Sequence, residues 1–290
     1  MVKCFSIFKD IYIGIFISIL SLSFFSCSSE FQDNYQDRDD GYLDIFFSKE
    51  ETRADLANDG SGSFTEGDKV GLYIQCDKGL SYRELTYSGG QWMPRLKRND
   101  FGEGPISLSA HYPATGEQQN PETYQLDMAL DQTGDGFYNS DLLFSKTVVK
   151  SGVYEAEMNF GHALHRIRVS ISGSMTSSEV KVRSLTQGNF NLLTGEVEVS
   201  GTDFKWITPF KDEEGNFSAV IIPQSAIPYR GDDGLLQIVA EGKTAYFNAP
   251  EKTEENNELT FFEPRKQISI NLTLRPAILN LQERHCGYMD

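Results

Sequence analysis

Two stretches of this 290-residue chain hold residue types that could do chemistry. The first is His162-Ala163-Leu164-His165. A helical metalloprotease site needs histidines four apart with a glutamate between them. Here they are three apart and no glutamate intervenes. Ile167, Val169 and Ile171 follow in strand alternation, and residues an odd number apart on a strand face opposite sides. The two imidazoles therefore diverge, and a structural histidine bonded to a backbone carbonyl is the plainer reading. The second stretch is Asp131-Gln132-Thr133-Gly134-Asp135-Gly136. Oxygen ligands at the first, third and fifth positions and glycine at the sixth suit a calcium loop. The twelfth position, where a bidentate glutamate belongs, is Leu142, with Asp141 beside it. The plainer reading is a polar loop ahead of a strand.

Other chemistry is sparse. The chain has no Gly-x-Ser-x-Gly elbow, no P-loop and no Cys-x-x-Cys. Its carboxylates scatter over predicted turns, so nothing marks the paired carboxylates of a glycosidase cleft. The expectation is a protein that is not an enzyme and carries neither cofactor nor metal. Two tryptophans invite a binding role. Trp92 follows Gly89-Gly90, and Trp206 sits in Phe204-Lys205-Trp206-Ile207. Exposed aromatics on loops can stack on sugars, but a tryptophan beside a hairpin more often covers the end of a sandwich core.

The elements that must position these residues are short strands. Runs of four to eight residues, alternating or apolar, recur after residue 40, broken by Gly, Asn, Asp or Pro. They include 43–47, 69–75, 82–87, 107–112, 123–128, 142–148, 153–158 and 164–172, and then a similar series to 267–274. No stretch of the body holds a 3.6-residue apolar period for more than about three turns. Short strands at this spacing indicate all-β sandwiches, and about 15 of them suit two sandwiches better than one. The polar break Lys150-Ser151-Gly152 divides the body into 42–152 and 153–290. The composition agrees: 39% hydrophobic and 12% aromatic residues suffice for a core. A mean hydropathy of -0.39 excludes a polytopic membrane protein. A net charge of -16 argues against a nucleic-acid partner.

Residues 1–27 read as an export signal. Lys3 and Lys9 precede fifteen uncharged residues from Ile11 to Phe25. That run is short for a membrane span, which needs about 20 residues, and suits a secretory core. Ser26-Cys27 closes it in the manner of a bacterial lipoprotein cleavage site, with Phe24 where leucine is usual. Cys27 is then the lipidated, palmitate-bearing N-terminus. Residues 28–41, rich in aspartate, form a tether too polar to fold. An exported protein permits disulfides, and Cys76 and Cys286 are the two candidates left. Cys76 ends the alternation Val70, Leu72, Ile74 and reads as a core thiol, while Cys286 lies in the tail.

Several segments together resemble the fimbrillin family of Bacteroidetes surface lipoproteins. They are Thr52-Arg53-Ala54 ahead of Phe64-Thr65-Glu66-Gly67-Asp68-Lys69-Val70-Gly71; Leu108 to Tyr112-Pro113; and Asp141-Leu142-Leu143. Phe160-Gly161-His162-Ala163-Leu164 leads into an alternating strand, and Val220-Ile221-Ile222-Pro223-Gln224 follows. The resemblance implies two tandem β-sandwiches of transthyretin-like topology. It implies an outer-membrane, surface-exposed or pilus-associated lipoprotein that acts as a structural, tip or accessory pilus subunit in adhesion. Partners would be other pilins joined by donor-strand exchange, with a host or glycan ligand as a further partner. Arg53 matches the position where precursors are cut to free a first strand. Pro276 to Leu281 matches the donor region, although the chain lacks the tryptophan of an Ile-x-x-Trp-like ending; a subunit without a donor would be a tip or accessory protein. The alternative is a monomeric surface lipoprotein that binds glycan or a host ligand through loops, with Trp92 and Trp206 as stacking residues.

Overall fold

The computed structural model describes residues 41–49, 64–174, 177–253, 256–275 and 285–287. Cys27, the tether up to residue 40, Arg53 and the 276–281 stretch lie outside the described residues. The chain is all-β. Its first half runs β1 (Tyr42–Lys49), β2 (Lys69–Cys76), β3 (Gly79–Ser88), β4 (Gln91–Met93), β5 (Leu96–Lys97), β6 (Ile106–Tyr112), β7 (Tyr124–Asp127), α1 (Asp135–Ser140), β8 (Leu143–Val149) and β9 (Glu155–His162). The second half runs β10 (His165–Gly173), β11 (Ser177–Leu185), β12 (Gln187–Phe190), β13 (Val197–Val199), β14 (Phe204–Ile207), β15 (Phe210–Lys211), β16 (Phe217–Ile221) and β17 (Gln224–Ser225). It closes with β18 (Leu236–Ala240), β19 (Lys243–Phe247), β20 (Phe261–Phe262), β21 (Gln267–Leu274) and β22 (His285–Gly287).

Alternation decides which residues go inside. Val70, Leu72 and Ile74 of β2 point into a first core with Leu108 and Ala110 of β6. Leu43 of β1, Leu96 of β5 and Ala156, Met158 and Phe160 of β9 close that core from the other side. The strands are continuous in the order β4-β3-β2-β6-β8-β9-β1-β5. The sheet turns its corner where β8 and β9 pair at only two positions, Leu143↔His162 and Phe144↔Gly161. Glu155–His162, which a boundary at residue 152 assigns to the second half, thus packs in the first core. Cys76 is a free thiol, half-buried against that core.

The second core lies between the layers β15-β16-β10-β21-β22 and β14-β11-β18-β19. Ile167, Val169, Ile268 and Ile270 from one layer meet Val180, Val182, Leu236 and Ile238 from the other. A three-stranded sheet, β13-β12-β7, joins strands from both halves of the sequence. Around it a third cluster, including Tyr73, Phe144, Phe190 and Leu192, packs the two sandwiches together. Sequence reading missed α1, because six residues are too few for an apolar helical period to show.

Candidate functional site

The histidine pair separates, but not by alternation along one strand: the two residues belong to different strands in different sheets. His162 ends β9, and its Nδ1 lies 2.8 Å from an Asp141 carboxylate oxygen. His165 opens β10, is buried, and its Nδ1 lies 2.8 Å from the Glu263 carbonyl oxygen. Burial holds the His165 imidazole down to about 4, partly offset by that carbonyl. No group of three or more potential metal ligands occurs among the described residues. In the 131–136 loop, Asp131 Oδ1 accepts from the Thr133 amide at 2.9 Å and its hydroxyl at 2.6 Å. Gln132 is fully buried. The loop leads into α1 rather than straight into a strand.

Both tryptophans lie on strands, which corrects the loop placement. Trp92, on β4, is half-buried and packs edge-on to Phe47 at 5.1 Å and Phe64 at 4.8 Å, with Tyr87 at 5.2 Å. Trp206, on β14, lies on the outer face of its sheet, because its neighbour Ile207 faces the second core. Its ring centroid is 6.1 Å from that of Tyr246.

β1 lies between two other strands of the first sandwich. It runs parallel to β9 over six register positions and antiparallel to β5 over two. Leu43, Ile45 and Phe47 face the first core, and Phe47 stacks on Phe160 at 5.5 Å. At its end, Lys49 Nζ sits 4.6 Å from the Phe64 ring centre and 4.5 Å from that of Tyr112. At its start, Asp44 meets Arg95 at 3.1 Å. Phe46 on the outer face is 58% exposed. The site is a slot for one strand with alternating apolar residues and a cation at its end.

A family model described as "Fimbrillin-like" matches residues 52–284. The chain belongs to the fimbrillin-like family. Solved structures agree on the fold. A candidate cell adhesion protein from Bacteroides uniformis has a TM-score of 0.60 at 15% identity, covering 86% of this chain and 98% of its own. One from Bacteroides ovatus has a TM-score of 0.59 at 16% identity, covering 86% and 96%. A fimbrial protein from Bacteroides ovatus has a TM-score of 0.50 at 13% identity, covering 81% of this chain and 48% of its own. No curated protein matches the sequence.

Two buried polar groups of this fimbrillin-like chain escaped sequence reading. Gln132 uses its side chain as a strand would use its backbone. Nε2 donates to Val220 O and Oε1 accepts from Val220 N, both at 2.8 Å. The short β15 pairs with β16 only at Ser218 and Phe217, so Gln132 takes the backbone groups β15 does not reach. Nothing in Asp-Gln-Thr-Gly marks this role, because the partner is 88 residues away. His111 lies over Gly71, where an added Cβ would meet the ring at 2.3 Å. Its Nε2 is 3.0 Å from Thr115 Oγ1 and accepts from the Thr115 amide at 3.3 Å. Burial pushes His111 down to about 4. Here a signal existed, since Gly71 leaves room on the face opposite Val70 and Leu72.

Proposed function

We propose that this chain is a lipid-anchored surface protein of the outer membrane. It acts as a structural or accessory subunit of a pilus, joined to its partners by exchange of β1, and its role is adhesive rather than catalytic. The observation that carries the reading is the placement of β1. It fills a slot between β9 and β5, and the sequence that follows it directly contains Arg53. A cut there would release β1 from the body. Uncovering Leu43, Ile45 and Phe47 at about 1.5–3 kcal/mol for each fully buried side chain costs on the order of 5 kcal/mol. A strand from a partner would recover this, with backbone bonds supplying affinity and alternate side chains supplying register. Family membership supports the pilus or adhesin class, and the cell-adhesion and fimbrial neighbours are in keeping with a surface location. β22 pairs with Ser269, Ile270 and Asn271 on the edge of β21, which supports a tail held on its own chain before assembly.

Mass spectrometry of the protein from its native cells tests this reading. Lipid on Cys27 in the precursor and a mature N-terminus at Ala54 are expected. An Arg53→Ala variant should stay unprocessed and form no filaments. Continued processing and filament formation by that variant would remove the cleavage scheme.

A further inference from the structure

The outer face of the β14-β11-β18-β19 sheet is unlike the usual solvent face of a sandwich. Val182↔Ile207 and Leu236↔Phe247 are paired positions that face the core, so the next pairs, Arg183↔Trp206 and Gln237↔Tyr246, face outward. Trp206 and Tyr246 stand on the two outermost strands of this sheet, yet their rings meet above it. The centroids are 6.1 Å apart and the planes are inclined at 46°. Two rings in this relation form a shallow V lying across the middle strands. Tyr246 is half exposed, at 50%. Gln237 Nε2 donates to Tyr246 Oη at 3.0 Å, which holds the phenol in place.

The charges on this face indicate what would fit the V. Lys181 lies 2.7 Å from Glu179, and Arg183 lies 3.3 Å from Asp233. Each cation on the face thus has a carboxylate beside it, within a chain of net charge -16. The face offers aromatic surface, a phenol and a primary amide, without an unbalanced charge to attract a polyanion or a cation. Flat apolar surface bordered by a few oriented polar groups is the recognition chemistry of a neutral ring bearing hydroxyls. The side chains stand on strands backed by a packed core, so binding would need little ordering of the protein.

We propose that this face is a binding site for a neutral saccharide, with Trp206 and Tyr246 as the stacking surface and Gln237 as the adjoining hydrogen-bonding group. The inference goes beyond the pilus reading, and it stands or falls without strand exchange, because none of these residues touches β1 or its slot. The chain has only two tryptophans, so a Trp92→Phe variant makes Trp206 the sole indole reporter. That variant would be titrated with dextran, yeast mannan, galactomannan and xylan, with heparin as the polyanion control, and run in native gels containing each. At least one neutral polysaccharide should retard the protein and shift the Trp206 emission. Trp206→Ala and Tyr246→Ala in the otherwise native chain should each weaken that retardation by at least tenfold. Their melting temperatures should stay near that of the parent, and filament formation should be unchanged. Absence of retardation with all four neutral polysaccharides, retardation by heparin alone, or retardation that survives both substitutions would overturn the proposal.

Discussion

Gln132→Ala is the most discriminating perturbation of the scaffold. The side chain makes two bonds to one buried residue, Val220, and both run at 2.8 Å. Truncation leaves a buried N–H and a buried C=O without partners at about 1–3 kcal/mol each. The cavity adds to this, for a total of about 3–5 kcal/mol. At about 2–4 °C per kcal/mol for a chain of this size, Tm should fall by about 10 °C. Gln132→Glu separates hydrogen bonding from volume. At pH 7 a carboxylate can still accept from Val220 N, but it faces Val220 O without a proton to donate. Burial raises a carboxyl pKa, so at pH 4.5 the acid should be largely protonated and can donate as the amide did. The deficit relative to the parent at the same pH should therefore be large at pH 7 and shrink as pH falls through the folded-state pKa. Urea denaturation of parent and both variants at the two pH values measures this. A cost below about 1 kcal/mol for Gln132→Ala, or a Gln132→Glu deficit independent of pH, would refute the view that the amide stands in for a strand.

Three further outcomes are expected. His111 and His165 are neutral, and burial holds both imidazoles down to about 4 from an ordinary value of 6.5. The unfolded chain takes up protons that the native chain refuses between those limits, so stability should fall as pH drops from about 6.5 toward 4, by roughly 3 kcal/mol at most for each histidine. Denaturant melts of the parent against His111→Gln and His165→Gln should show a flatter acid limb in the variants. Gly71→Ala should cost about 1–3 kcal/mol by overpacking, because the new methyl meets the His111 ring at 2.3 Å; in the His111→Ala background the cost should shrink, and a double-mutant cycle with no coupling would contradict the contact. Phe47→Ala removes a ring packed on Phe160 and Trp92 and should cost about 2 kcal/mol, less than a full core phenylalanine. Hydrogen exchange should then accelerate at β1 amides while β2 and β6 keep their protection.

Much of the fold was legible in the residues because strand formation is local. Val70, Leu72 and Ile74 alternate, and the alternation alone says which way they point. Gly67 before Asp68 announces a turn, and it adopts φ of 92°. Pro223 falls two residues after β16 ends at Ile221, as a residue without an amide proton should. His162 and His165 part for a reason the letters do not show: the chain leaves β9 at His162 and opens β10 in another sheet at His165. Several of the segments that resemble fimbrillins are turn and strand-end signals, as Gly67-Asp68 before β2 and Pro223 after β16 are.

What tertiary structure alone decided is which strands and side chains meet. β1 pairs with β9 across more than a hundred residues, as Ser48↔Asn159 shows, and no local pattern encodes that partner or its parallel sense. Gln132 became a surrogate strand because β15 stops short of Val220. Trp92 and Trp206 were equivalent as letters. One is packed among Phe47, Phe64 and Tyr87 at the edge of a core, and the other lies against Tyr246 on an outer sheet face. The physical reason is common to all three. Backbone sterics and side-chain alternation act between neighbours in sequence, whereas ladder pairing, burial and desolvation depend on groups that only the folded chain brings together.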